Sequence, residues 1–294
     1  MVDKKFDKIY GWLFILPVFI LAVVFFLIPA GMSLMLSFKE YSLLDSQGMF
    51  SAPWVGLNNY KEVFKDEIFF KSLKNTVIYS LGVVPTQLMI ALGLAIICNS
   101  KIRNKGVLRT VYYIPTVTSA VAVSIMFLFL YKTDGLLNKF LGLFGVEPIG
   151  WFNSPVFALP SMMSLAVWSS VGIYMVIFLA GLQGISPSLY EAAEIDGASK
   201  FEQFLYVTLP QLKHVLFFNL VVSFIGTLQV FDQAYVISGG TGGPLDSTST
   251  VVLYLFNSGF RDFKMGYASA IAFVLFGIIF TLTMIQKFLF KESD

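Results

Sequence analysis

Few residues in this chain could do covalent or metal chemistry. His214 is the only histidine and Cys98 the only cysteine. A metal site or an imidazole base would therefore need unusual partners, and one thiol supports no disulfide framework. No stretch fits G-x-x-x-x-G-K-[ST], the loop whose backbone amides and lysine cradle a nucleotide's phosphates. Gly239-Gly240-Thr241-Gly242-Gly243-Pro244 is glycine-rich but has no lysine, and it reads as a turn-rich loop. No nucleophile–base–acid set is visible. The sequence thus predicts a non-enzyme without a metal or cofactor of its own. The polar residues that remain interesting lie within apolar runs, and Asp232 is the main ionisable one. Charge in such a setting is retained only for work.

The elements that must position these residues are membrane spans. The chain of 294 residues is 56% hydrophobic and 13% charged, with mean hydropathy +0.76, against roughly 45–50% and about 25% for soluble domains. Its 31 Phe, 13 Tyr and 4 Trp suit bilayer interiors and interfaces. A net charge of +2 gives a nucleic-acid partner no electrostatic basis. A spanning helix needs roughly 20 apolar residues, and candidate runs fall near 11–37, 73–98, 108–130, 156–180, 212–236 and 266–288. The expectation is an all-α membrane protein of about six transmembrane helices. Lys4, Lys5 and Lys8 before the first run look like a signal peptide's tip. The apolar stretch is too long for one and lacks an A-x-A site, so it reads as a retained helix.

Basic residues orient the spans, because short cytoplasmic loops are enriched in Lys and Arg. The densest short-loop cluster is Lys101, Arg103, Lys105 and Arg109. That cluster predicts cytoplasmic N- and C-termini and an extracytoplasmic segment at about 39–71 with a short helix near 59–64. With spans almost free of charge and no nucleotide loop, uphill transport would draw its energy from a partner. On this evidence alone a passive channel remains open.

The longest cytoplasmic loop, near 186–213, has helix signals of its own. Ser188 with Glu191, and Ser199 with Glu202, fit the S-x-x-E capping box. Gly197 between them suits the left-handed residue that ends a helix. Two short helices should therefore meet at a glycine turn on the water side. Ala192 and Ala193 keep one face small, and Glu191, Glu194 and Asp196 charge it. Helix physics alone leaves two readings, a hairpin packed on its own bundle or a surface offered to another protein.

The run Glu191-Ala192-Ala193-Glu194-Ile195-Asp196-Gly197, with Leu209-Pro210 after it, resembles the EAA loop of binding-protein-dependent ABC importer permeases. Val55-Gly56-Leu57-Asn58-Asn59-Tyr60, Asn75-Thr76, Arg109-Thr110, Ile114-Pro115 and Gly181-Leu182-Gln183 are similar to markers of the carbohydrate-uptake branch, the maltose and glycerol-phosphate type. So are Thr241-Gly242-Gly243-Pro244 with Ser247-Thr248, and Met265-Gly266-Tyr267-Ala268-Ser269-Ala270. One departure is that the family usually has three glycines before that proline. The resemblance covers nearly the whole chain. It implies a type I importer permease fold, with a first helix and extracytoplasmic loop over 1–71 and a five-helix transmembrane domain over 72–290. It implies a bacterial inner-membrane location and an assembly of this chain with a second, related permease. Two cytoplasmic ABC ATPases holding ATP and Mg, and an extracytoplasmic sugar-binding protein, would complete it. Glu191, Ala192, Ala193, Asp196 and Gly197 then become ATPase-coupling residues. The solute would be a mono- or oligosaccharide, the alternatives being a polyol, glycerol phosphate or another small solute.

Sugars are held by aromatic faces and by amides or hydroxyls. The fourth run offers Trp168, Ser169, Ser170 and Tyr174, and the fifth Ser223, Thr227, Gln229, Asp232 and Gln233. Trp168, Tyr174, Gln229, Asp232 and Gln233 are the candidate solute path. Against this, Ser and Thr in spans often bond a carbonyl one turn back or glue helices together, and Trp168 with Tyr174 also fits a packing stripe.

Overall fold

A computed structural model describes residues 4–45, 48–100 and 105–290. Lys101 and Arg103 of the orientation argument lie outside the described residues. Five helical segments are long and apolar enough to cross a membrane: Trp12–Ser37, Glu67–Asn99, Ala158–Gln183, Lys213–Ser238 and Met265–Leu289. The third expected span is instead a pair, Lys105–Val117 and Ala120–Leu130, bent by 99°. The break has a local cause. Pro115 withholds an amide from the ladder, and Ser119 then takes extended angles, φ −54° and ψ 129°. Counting the pair once gives the six expected spans. No strand occurs among the described residues, only isolated bridges Lys39–Trp54 and Ser42–Lys264.

Proline also shapes the longer helices. Pro29 and Pro210 each follow a one-turn π segment, Val23–Leu27 and Phe204–Thr208. A widened turn absorbs the clash between the ring and the carbonyl four residues back. Pro85 sits inside the second span, where the next residue, Thr86, donates its hydroxyl to the Gly82 carbonyl at 2.7 Å.

The chain resolves into two compact units, Met1–Asp66 with Leu255–Gly277, and Glu67–Tyr254 with Ile278–Asp294. In the first, the short helix Asn58–Val63 is fastened to the end of the first span. Asn59 donates to the Ser37 and Lys39 carbonyls, both at 2.9 Å, and the Tyr60 and Ser37 hydroxyls meet at 2.7 Å. Gly266 packs against the same turn so closely that a Cβ would stand 2.1 Å from the Lys39 carbonyl oxygen. Two of the resemblance-bearing runs, 55–60 and 265–270, therefore meet here. None of the first span's apolar window is buried within the chain.

In the second unit the second, fourth and fifth spans enclose a core of Val84, Leu88, Ala91, Ala95, Met175, Phe178 and Leu212. Hydrophobic burial does not drive helices together inside lipid, so small residues that permit close packing matter more. Ala91 and Ala95 are fully buried. At Gly172 a Cβ would fall 2.1 Å from the Tyr112 carbonyl oxygen, which seats the Lys105–Val117 helix directly on the fourth span. Tyr79, Val83, Met162, Ala166, Ala234 and Leu253 form a further cluster.

Candidate functional site

The loop after the fourth span forms the expected helix pair. Its first helix is Pro187–Ile195, and its start corrects the sequence reading. Ser186, not Ser188, is the N-cap, with Pro187 at the first helical position. Proline there has its φ preset and lacks an amide that would go unused in any case. Ser188 instead shares a hydroxyl bond of 2.8 Å with Ser186. The other end follows expectation. Gly197 has φ +80°, and Ala198 and Gly197 donate to the Ala193 and Glu194 carbonyls at 2.9 and 3.1 Å, the paired bonds of a Schellman cap.

The second helix, Lys200–Gln203, opens on the predicted capping box. Ser199 accepts from the Glu202 amide, and Glu202 accepts from the Ser199 amide at 2.7 Å. The Ser199 hydroxyl, and then its backbone amide, hold the Glu202 carboxyl below its ordinary range. Tyr190 and Thr208 join the helices at 3.0 Å. An ion pair, Lys200–Glu194 at 3.3 Å, is mostly solvated and so adds little.

The pair presents a surface rather than a pocket. Glu191, Ala192, Asp196 and Gly197 are exposed and Ala193 is half-buried. Beside them stand bare apolar side chains, Ile195 at 86%, Phe201 at 69% and Tyr206 at 77% exposure. Apolar groups displayed next to carboxylates on a rigid, capped hairpin suit docking by another protein.

The expected solute-path residues separate. Trp168 is exposed at 44%, and its ring leans on Phe127 with centroids 5.5 Å apart. Tyr174 is buried in the core. The fifth span breaks after Leu228 and resumes at Asp232. Gln229 and Asp232 are exposed at that break, while Gln233 accepts from the Tyr79 hydroxyl at 2.7 Å. Gln87 joins this group without having been expected. Buried on the second span, it donates to Ser223 of the fifth and accepts from Ser170 of the fourth. Its signal was one amide in an otherwise apolar run, and such a residue acquires meaning only when its partners are known.

The glycine loop is also placed. Gly239, Gly240, Gly242 and Gly243 all have positive φ, which glycine adopts without strain. Thr248 closes the loop onto the Gly242 carbonyl at 2.9 Å. Asn75 of the second span donates to the Asp246 and Ser249 carbonyls at 2.8 and 3.0 Å, and Thr76 accepts from the Val251 amide at 3.0 Å. Two more of the resemblance-bearing runs thus turn out to be one structure.

With this geometry in place, the chain can be set beside known proteins. The family described as "Binding-protein-dependent transport system inner membrane component" matches residues 87–292. The probable ABC transporter permease protein YesP of Bacillus subtilis (strain 168) is 43% identical, covering 98% of this chain and 91% of that protein. The lactose transport system permease protein LacF of Rhizobium radiobacter is 38% identical, covering 98% and 96%. The trehalose/maltose transport system permease protein MalF of Thermococcus litoralis is 35% identical, covering 94% and 91%. Among solved structures, a chain of the bacterial alginate ABC transporter in complex with alginate pentasaccharide-bound periplasmic protein is similar with TM-score 0.79. It is 22% identical and covers 97% of this chain and 94% of that one, a likeness of fold.

Proposed function

The chain belongs to the family of binding-protein-dependent transport system inner membrane components, and on that premise we propose that it is the pore subunit of an ATP-driven importer of a mono- or oligosaccharide. It is a multi-pass membrane protein. The observation that carries the reading is the helix pair at 187–208, a capped hairpin that exposes Ile195, Phe201 and Tyr206 along with Glu191 and Asp196. Such a surface needs a water-side partner, and an ATPase supplies the energy that the nearly uncharged spans do not. Glu191, Ala192, Ala193, Asp196 and Gly197 are its coupling residues. Because the pair is rigid and continuous with the fourth and fifth spans, movement of the ATPase is delivered to both.

In this reading the termini and the hairpin are cytoplasmic in a bacterial inner membrane, and a second, related permease completes the pore. The segment 39–71 and the glycine loop face an extracytoplasmic sugar-binding protein. Residues 1–71 form the first helix with its loop, and 72–290 the transmembrane domain. Sugar passes the exposed Trp168, Gln229 and Asp232, whose wall is held by the buried Tyr174 and by Gln233 through Tyr79. A broken fifth span suits such a site, since irregular backbone at membrane depth is tolerated where it lines a cavity.

The deciding experiment has two arms. Affinity-tagged chain extracted from its native membrane should bring down an ABC ATPase, and the reconstituted complex should hydrolyse ATP faster when sugar-loaded binding protein is added. In a Cys98→Ala background, Ser247→Cys should react with an impermeant maleimide on whole cells and Ser188→Cys should not. Absence of the ATPase sinks the importer reading, and reaction at Ser188→Cys alone inverts the topology.

A further inference from the structure

The helix Asn58–Val63 has one face accounted for and one face free. Asn59 and Val63, one turn apart, are buried, and Asn59 and Tyr60 fasten the helix to Ser37, the last residue of the first span. Leu57 and Phe64, both 59% exposed, point away from that contact with Lys61 and Lys65 beside them. Together with Tyr60 these residues line an open groove of about 610 Å³. Neither lysine is ion-paired among the described residues. The permease reading turns segment 39–71 toward the binding protein but gives no residue of this face a role.

Three observations specify what covers it. Its depth is set by Ser37, because a helix fastened to the end of a 26-residue apolar span sits where hydrocarbon gives way to headgroups. Its lining is apolar, from Leu57, Tyr60, Phe64 and the stems of Lys61 and Lys65, and both lysines are exposed to solvent. Its neighbour is the first span, whose apolar window is wholly uncovered by the chain. We propose that the groove at Leu57, Tyr60, Lys61, Phe64 and Lys65 binds an anionic phospholipid. An acyl chain lies against Leu57 and Phe64, and the phosphate lies between Lys61 and Lys65. Aliphatic stems along the groove with charged ends at the headgroup level are how lysine behaves at such a boundary. The inference rests on membrane placement of Trp12–Ser37 and is independent of the solute.

The test uses the full complex in nanodiscs of phosphatidylcholine with phosphatidylglycerol. A benzophenone maleimide is placed at Phe64→Cys in a Cys98→Ala background, and the photoproducts are weighed. The expected product is a phospholipid adduct enriched at least fivefold in phosphatidylglycerol over its share of the disc, with the enrichment lost in Lys61→Gln/Lys65→Gln. Cross-linking to another protein chain, an adduct without headgroup preference, or a preference that survives the double substitution would each overturn the proposal. Native mass spectrometry of the unsubstituted complex supplies a second reading. Retained phosphatidylglycerol should fall by at least one molecule per chain in the lysine double variant, and an unchanged count would also overturn it.

Discussion

The helix pair at 187–208 and the polar seam around Gln87 both depend on a few hydrogen bonds, but they are built on different scales. In the pair the stabilising bonds stay within the hairpin. Ser199 reaches three residues to Glu202, Gly197 closes onto Glu194, and Tyr190 meets Thr208, 18 residues on. Its outer face stays wet, with Ile195 and Phe201 almost bare. In the seam, Gln87 is bonded to Ser170 and Ser223, 83 and 136 residues away, and it is buried. A locally specified hairpin can keep its shape while its neighbours shift, as a moving connector must. A seam joining three spans holds only while those spans keep their spacing. The comparison therefore assigns rigidity under motion to the pair and the spacing of the bundle to the seam and the core around it.

The largest effect that would test this division belongs to the bundle. Tyr174 fills the core beside Met175 and Phe178. Cutting it to Ala should cost about 3 kcal/mol, the low end for a buried aromatic ring, and should lower the melting point of the purified complex. Trp168→Ala should change stability by under about 1 kcal/mol, because that ring is 44% exposed, while lowering sugar uptake. Equal melting points for the two variants would mean that Tyr174 is not the structural member of the pair.

The next effect belongs to the hairpin and should leave stability alone. Gly197 has open space around it, so Gly197→Val meets no clash and acts only through its φ of +80°, which a β-branched residue resists. Glu191 is exposed and makes no side-chain bond among the described residues, so Glu191→Lys alters a surface and nothing beneath it. Both variants should lose at least tenfold of sugar-stimulated ATP hydrolysis, about 1.4 kcal/mol of coupling, at an unchanged melting point. A fall in melting point matching that of Tyr174→Ala would erase the distinction between the regions.

The same difference of scale decides what was legible in the sequence. The Gly197 turn and the Ser199–Glu202 box can be read because a few consecutive residues contain both donors and acceptors. Ser188 misled because the serine two residues earlier, followed by Pro187, is also a start signal, and proline's fixed φ selects the first helical position there. The six spans were legible from length and apolarity. The 99° break was not, since a proline such as Pro85 sits within another span of this chain without such a break, and the extended angles of Ser119 that complete the bend leave no mark in the sequence. Gln87 gave no pattern at all. Its role comes from Ser170 and Ser223, whose proximity is a property of the fold.

The smallest effect sharpens the local side of the comparison. Ser199 and Glu202 satisfy each other's backbone amides at the start of Lys200–Gln203. Replacing Ser199 by Ala removes the acceptor for the Glu202 amide, and an N-cap lost in this way should speed opening of that turn by about fivefold. Amide hydrogen exchange over residues 200–203 reads this directly, with unchanged exchange in the spans as the internal reference. The cap also has a pH signature with a defined sign. The Glu202 carboxyl is held below its ordinary value of 4.5, first by the Ser199 hydroxyl and then by the Ser199 amide. A group with a lowered folded value stabilises the fold above its unfolded pKa and loses that contribution as pH falls through the folded one. Protection of this turn, corrected for intrinsic exchange, should thus be level from neutral pH down to about 4.5 and decline below it. In Ser199→Ala the decline should begin from a lower plateau and be shallower, because the carboxyl has lost its largest stabilising partner. Identical pH profiles for the two proteins would show that the box is seen in the structure but contributes nothing to holding the hairpin.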